Sequence, residues 1–395
     1  MHVDLGQLAF DRGGAMLLKR ALRLCPRGEP ITVAGSAPEL AVHLRAWCRG
    51  EGHGFALAED GVAIVQPGDA TAQRWAGAER AGHADAQAPG AVADHPPQRW
   101  GLAARGALVE AGSPEFRFPL REKDEVWSED AARLYAQAAA AQWDPATAIP
   151  WDTPFELPEE VEDAVVQIMT YLVENETAAL LVPSRFLAQL HPHFREVMQV
   201  LAIQAADEAR HVEVFTRRAL LKRRELGLST AGGQASLQTL VEEPDFAIAS
   251  FLLSVLGEGT FLSLLWFMER HAPDVVTAAV CRLAAQDEAR HVAFGMSHLR
   301  SHIAADAGLP AALMNAVRKR HDALRHTAGL NSEVFDALVL MAAGSWSPAD
   351  LARGHDAVDA LQRDMHTQRT KRLLRLGFPE AEAEEMSALH TRNFM

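Results

Sequence analysis

Cysteine, tyrosine and positive charge are all in short supply in this chain. Its 395 residues include three cysteines, Cys25, Cys48 and Cys281, and no C-x-x-C pair. That excludes a disulfide framework, a zinc ribbon and a cysteine-ligated iron site of the rubredoxin kind. Basic side chains number 38 against 52 acidic ones, a formal net charge of −14. No global positive field gathers phosphates, so nucleic acid is not expected as a partner. The opening MHVDLGQLAFDRGG lacks a basic stretch followed by an apolar one, so no secretory signal is expected and the expected localisation is cytoplasmic. A long charge-free apolar run is missing too. The nearest approach, FAIASFLLSVLGEGTFLSLLWFM (246–268), carries Glu258 at its middle, where a bilayer tolerates charge least. It reads as a buried bundle helix, with no membrane partner.

What is there divides into three textures. Residues 1–66 alternate short apolar runs with helical patterns in the order β-α-β-α-β-β, a small two-layer α/β domain. Residues 67–126 turn to Ala, Gly, Pro and isolated charges, the chemistry of a linker or irregular segment. Residues 127–395 form a helical domain. Long helices are expected near 157–181, 193–225, 243–271 and 274–305, and shorter ones near 310–327, 331–343, 347–375 and 379–390. Pro183, Pro192, Pro244 and Pro273 punctuate the long ones. Each long pattern is too apolar on one side to stand alone, so the fold class is mainly α, a four-helix bundle with extra C-terminal helices behind the small α/β domain.

An internal repeat carries the chemistry. QAADEARHVEVF (204–215) and AAQDEARHVAF (284–294) share Asp-Glu-Ala-Arg-His-Val at an offset of 80 residues. The i, i+3 spacing puts Glu208 with His211, and Glu288 with His291, on one helix face each. A carboxylate and an imidazole so placed can share a divalent metal, and two facing pairs can hold two. A dinuclear site also needs one carboxylate from each remaining helix. Glu176 lies 32 residues before Glu208 and Glu258 lies 30 before Glu288, intervals that fit two antiparallel hairpins. Glu176 shares its stripe with Val165, Ile168, Met169, Leu172 and Ala179, whereas Glu174 keeps company with Asp163 and Gln167. Glu176 is therefore the expected ligand, and Glu269 a surface acid.

The ordered set Glu176 … Glu208-x-x-His211 … Glu258 … Glu288-x-x-His291 resembles the ferritin-like di-iron carboxylate superfamily. Its D-E-x-R-H form is similar to the hydroxylase subunits of bacterial multicomponent monooxygenases and to ribonucleotide reductase small subunits, over about residues 127–305. The resemblance implies two iron ions, with a manganese–iron pair fitting the same ligands, and O2 as co-substrate. It implies that Asp207 and Asp287 orient the imidazoles, within a helix or crosswise between helices, with Arg210 and Arg290 closing the network. It implies a reduced centre that binds O2, passes through a peroxo-diferric or higher-valent species and oxidises a small-molecule substrate in an apolar pocket. Candidate pocket residues one turn from the ligands are Leu172, Ala179, Gln204, Phe215, Ser254, Phe261 and Leu262. Gly257 and Gly259 flank Glu258 and allow either a widened helical turn or close helix packing.

Several branches of that superfamily do not fit. Tyr135 and Tyr171 are the only tyrosines, Tyr171 lies off the Glu176 face, and Phe215 stands one turn after His211, so a stable tyrosyl radical is not expected. The chain also exceeds twice the length of a simple ferritin. An O2-activating oxygenase or oxidase remains, and the expected function is O2-dependent oxygenation of a small organic molecule by C-hydroxylation or N-oxygenation. An oxidase or desaturase, a ferroxidase without organic substrate and a metal-stabilised scaffold are the rivals. No G-x-G-x-x-G, flavin or iron–sulfur signature occurs, so a separate ferredoxin or reductase is the expected electron donor. The C-terminal helices, with HDALRH and RDMHTQRTKRLLRLG, read as solvated amphipathic faces that cover the bundle or form a homodimer contact, and His298 and His302 as surface or cap residues near the end of the fourth long helix. Residues 1–66 resemble the TusA/SirA family of small sulfur-carrier domains through VDLGQLAF, MLLKRALRL and GSAPELAVHLRAWCRGEGH. That family's C-P-x-P cysteine is replaced here by AFDRGGAM, which points to a structural or docking module.

Overall fold

The computed structural model describes residues 1–26, 28–68, 75–324 and 332–391. Residues 69–74 of the irregular segment, and residues 325–327 and 331 of the expected helices, lie outside the described residues. Contacts divide the chain into two units, Met1–Ala91 with Ala103–Glu115 and Val92–Leu102 with Phe116–Met395.

In the first unit, β1 (His2–Asp4), α1 (Gly14–Leu24), β2 (Ile31–Ala34), α2 (Leu40–Glu51), β3 (Gly54–Leu57) and β4 (Ala63–Gln66) follow the order read from the sequence. The sheet runs β1-β2-β4-β3. The β1–β2 pair is parallel because α1 is its crossover, and the other pairs are antiparallel. Strand alternation turns Ile31, Val33, Ala63 and Val65 to one face, where they pack with Leu18 of α1 and Leu44 and Cys48 of α2. A further two-stranded sheet, β5 (Glu79–Arg80) with β6 (Leu108–Val109), forms inside the stretch read as irregular.

The second unit is helical: α3 (Ala131–Ala140), α4 (Glu159–Leu187), α5 (Arg195–Ala219), α6 (Ala231–Val241), α7 (Phe246–His271), α8 (Val275–Ala305), α9 (Leu309–Leu324), α10 (Ser332–Ala343), α11 (Pro348–Arg375) and α12 (Glu380–Thr391). Helices α4 and α5 form one hairpin, α7 and α8 the other, and together they make the four-helix bundle. The starts are set by side chains that accept from the first free backbone amides: Asp245 from Ile248 and Asp274 from Thr277. The core between the hairpins holds Ile168, Met169, Leu172, Phe215, Leu264 and Val280. Phe246–His271, the one described stretch long and apolar enough to cross a membrane, is mostly buried within this bundle.

The structure departs from the pattern in four places. Helix α4 runs through Pro183 to Leu187 instead of stopping before it. Pro183 costs one backbone hydrogen bond, and the buried Val182 and Phe186 around it hold the helix, Phe186 lying 5.1 Å from Phe246 between ring centres. Helices α3 and α6 had no expected counterpart. His298 is not a surface residue: it is fully buried between Phe294 and Phe246. Nor are the C-terminal faces solvated throughout, since Arg369, Arg372 and His390 are buried where α11 packs on α7 and α12.

Candidate metal centre

Each bundle helix delivers its acid to the same level of the core. Glu176 comes from α4, Glu208 and His211 from α5, Glu258 from α7, and Glu288 and His291 from α8. None of the six is more than 4% exposed. They fall into two overlapping groups, Glu176–Glu208–His211–Glu288 and Glu208–Glu258–Glu288–His291. Within each group the donor atoms lie within 4.8 Å of one another. Glu208 and Glu288 belong to both groups, so two cations held there would share these two carboxylates.

The donor set fits such ions on its own evidence. Glu176 Oε1, Glu208 Oε1, Glu258 Oε2, Glu288 Oε2 and His291 Nδ1 are buried without a hydrogen-bond partner, a combination that folded proteins avoid unless something else satisfies the atoms. Four carboxylates and two neutral imidazoles balance two divalent cations. Metal-free, the site crowds like charges: burial, and then Glu208 beside it, push Glu176 up to about 8. Burial and the nearby Glu288 raise Glu258 well above the usual carboxylate range. Burial alone would lower His211, but hydrogen bonds to Asp287, Glu176, Glu208 and Glu288 carry it well above its ordinary value.

Both imidazoles turn Nδ1 toward the acids and Nε2 outward. His211 Nε2 lies 3.2 Å from Asp287 Oδ2, and His291 Nε2 lies 3.3 Å from Asp207 Oδ2, so each aspartate serves the histidine of the other helix. Arg210 ties the two aspartates together, at 2.5 Å to Asp207 and 2.8 Å to Asp287, and Arg290 also pairs with Asp287. Two residues without any signal in the sequence complete the network. Trp143 donates to Asp287 at 2.8 Å, and Gln142 donates to Asp207 at 2.8 Å while accepting from Arg210.

Around Glu258 the helix widens. Phe251–Glu258 is a π-helical segment inside α7, the kind of bulge found often at functional positions. Both readings of the flanking glycines hold, because a Cβ on Gly259 would also lie 2.5 Å from Arg372 Nε. Gln204 donates to Glu258 Oε1 at 2.8 Å, and Ser254 hydrogen-bonds the same carboxylate. Ala179 and Phe261 line a cavity of about 30 Å³ beside Glu176, Glu258 and Glu288, together with Leu237 and Leu240 of α6 and Leu252 and Leu253 of α7. Leu172 and Phe215 lie in the general core, and Leu262 lines a separate groove between α7 and α11. Tyr171 stacks on Phe261, 5.9 Å between ring centres. Glu174 and Glu269 are both half-buried, and Glu269 pairs with Arg282 at 4.0 Å.

No family model matches this sequence, and no characterised protein matches it by sequence. Solved structures do match by shape. One is an R2-like ligand-binding oxidase, a point mutant with aerobically reconstituted Mn/Fe cofactor, at 17% identity and a TM-score of 0.50, over 63% of this chain and 94% of that one. Another is the R2-like ligand-binding oxidase from Sulfolobus acidocaldarius, at 16% identity and a TM-score of 0.41, over 65% and 94%. At such identity the likeness is one of fold: the helical unit is a ferritin-like bundle of the shape these oxidases have.

Proposed function

We propose that this protein is a non-haem dinuclear metal oxidoreductase that uses O2 to oxygenate a small organic molecule. The observation that carries the reading is the pair of overlapping four-residue groups sharing Glu208 and Glu288, with five orphaned buried donor atoms among them. The fold shared with oxidases described as holding an Mn/Fe cofactor supports the same choice. Glu176, Glu208 and His211 with Glu288 would hold one ion, and Glu258, Glu288 and His291 with Glu208 the other. Two irons, or one manganese and one iron, would supply the redox chemistry that activates O2.

The chain's own groups do the rest. Asp207 and Asp287 fix both imidazoles with Nε2 as donor, leaving Nδ1 to the metals. Gln204 and Ser254 orient Glu258, and the π-helical turn gives that carboxylate room to shift. The leucine wall keeps water from the reacting centre. Inserting one oxygen atom into a C–H or N–H bond while reducing the other to water takes O2, two electrons and two protons. The electrons come from a separate donor of the ferredoxin or reductase class. The apolar cavity beside Glu258 favours this reading over iron storage, which needs a polar entry path. We read the N-terminal unit as a structural or docking module.

Anaerobic loading with Fe(II), metal analysis and rapid mixing with O2 test the reading. About two irons per chain and an absorbance transient are expected; iron with no reaction toward O2 would overturn it.

A further inference from the structure

Helix α11 grips α7 on both sides of Glu258. On the earlier side, Arg372 Nε donates to the Val255 carbonyl at 3.0 Å. On the later side, Asp364 accepts from Ser263 Oγ at 2.6 Å and from Gln368 of its own helix at 3.1 Å. The two points stand three residues before Glu258 and five after it. Arg372 is buried, and its Nη2 has no hydrogen-bond partner. Burial brings its guanidinium down to about 10, an effect that Asp364 partly offsets. Gly259 makes the approach possible, since a Cβ there would meet Nε, Cζ and Nη2 at 2.5–2.7 Å. Within the widened stretch a second carbonyl also takes a side-chain donor, Leu256 from Thr260 Oγ1 at 2.5 Å. Behind the turn lies a groove of about 600 Å³ between α7 and α11, lined by Gly259, Leu262, Ser263, Asp364 and Arg372. Two polar contacts therefore cross a space that close packing does not fill.

We propose that Arg372 is a positioning residue: with Asp364 it holds Phe251–Glu258 in its π-helical form and so places the Glu258 carboxylate in the centre. This rests on the reading of Glu258 as a ligand and adds what keeps it there. A π-helical turn carries more residues than an α-helical one. Each residue of an α-helix turns the chain by about 100°. If the stretch closed to α-helical spacing by giving up one residue, Glu258 would swing by about that angle relative to Phe251. It would then leave Gln204 and Ser254, which hold it now. Arg372 acts on the centre only through Glu258.

Calorimetric titration of the full chain with Mn(II) tests this. The parent should take up two ions. Arg372→Met, which keeps the unbranched stem and removes the donor, should bind one as the parent does and the other about tenfold more weakly. Arg369→Met is the control, three residues earlier and bonded to the Ser387 carbonyl of α12 at 2.9 Å; it should leave both affinities within about threefold of the parent. In a Glu258→Gln background, Arg372→Met should add less than about twofold, because two changes acting through one group are not additive. Parent-like binding of both ions, equal weakening of both, or a loss that persists in full without Glu258 overturns the proposal. Hydrogen exchange of the metal-free chain reads the grip without any ion: amides of 251–263 should exchange about tenfold faster in Arg372→Met, and those of α8 at the parent rate. If Arg372→Met does not fold, Ser263→Ala, which removes only the later contact, must weaken the same ion and speed the same amides. A parent that binds no ion while the exchange responds overturns the reading of the centre and leaves the grip on the turn. Two ions bound equally well with and without Arg372 does the reverse.

Discussion

His211 of α5 and Asp287 of α8 reach across the bundle to within 3.2 Å, and His291 and Asp207 repeat the contact in the opposite direction at 3.3 Å. Each helix thus orients the other's imidazole, so the two halves of the candidate site are coupled. Asp287→Asn keeps the shape but removes the charge that His211 and Arg210 share. It should weaken metal binding tenfold to a hundredfold, a typical effect for partners of this kind, with little change in far-ultraviolet circular dichroism. Competition titration with a metal-sensitive dye measures it, and an affinity within twofold of the parent would contradict the account.

Arg218, about two turns beyond His211, is fully buried with Glu162 at 2.7 and 3.0 Å, Asp274 at 2.8 Å and Thr277 at 2.7 Å. It ties the starts of α4 and α8 to the end of α5. Removing one member of a buried ion cluster leaves the others uncompensated, so Arg218→Met should cost about 3–5 kcal/mol. Denaturant unfolding of the metal-free chain reads this directly. Metal stoichiometry in native buffer should stay at the parent value, since none of these residues touches the centre.

Gly259 follows Glu258 where Arg372 crosses α7, its Nε donating to Val255 in the π-helical segment at 3.0 Å. Gly259→Ala drives a methyl into that guanidinium. The expected cost is about 1–3 kcal/mol, as for overpacking elsewhere, together with weaker binding at the Glu258 end of the site. Thermal unfolding and metal titration check the two parts separately.

His298 is fully buried, and burial, with His302 next to it, lowers its pKa to about 3 from an ordinary 6.5. Below pH 6.5 the unfolded chain binds a proton that the folded chain refuses. The stability tied to this group is therefore complete above pH 6.5 and falls toward pH 3, by at most about 1.4 kcal/mol per pH unit. His298→Leu should flatten that slope in the metal-free protein between pH 6.5 and 4, as read by urea midpoints.

Much of the bundle was legible because its signals are local and repeated. The Asp-Glu-Ala-Arg-His-Val copies, their spacing from Glu176 and Glu258, and the stripe that selects Glu176 over Glu174 all follow from helical period. The six residues so chosen converge in the structure. What escaped depends on contacts between distant segments. Gln142 and Trp143 meet Asp207 and Asp287 across 65 and 144 residues, with no periodic mark to announce them. Arg369 and Arg372 read as solvent-facing charges because their own helix is amphipathic. The packing of α11 on α7 and α12 covers them. Pro183 was misread because a local rule about proline competes with burial of Val182 and Phe186 that the rule does not see.

The central claim is that Glu208 and Glu288 are shared between two ions. Anaerobic titration with Fe(II), on the parent chain and on Glu176→Gln, Glu258→Gln and Glu208→Gln, tests it most directly. The account predicts two ions per parent chain, loss of tight binding at one position in each of the first two variants, and weakened binding at both positions in Glu208→Gln. A parent stoichiometry of one or none, or a Glu208→Gln variant that binds two ions as the parent does, would contradict it.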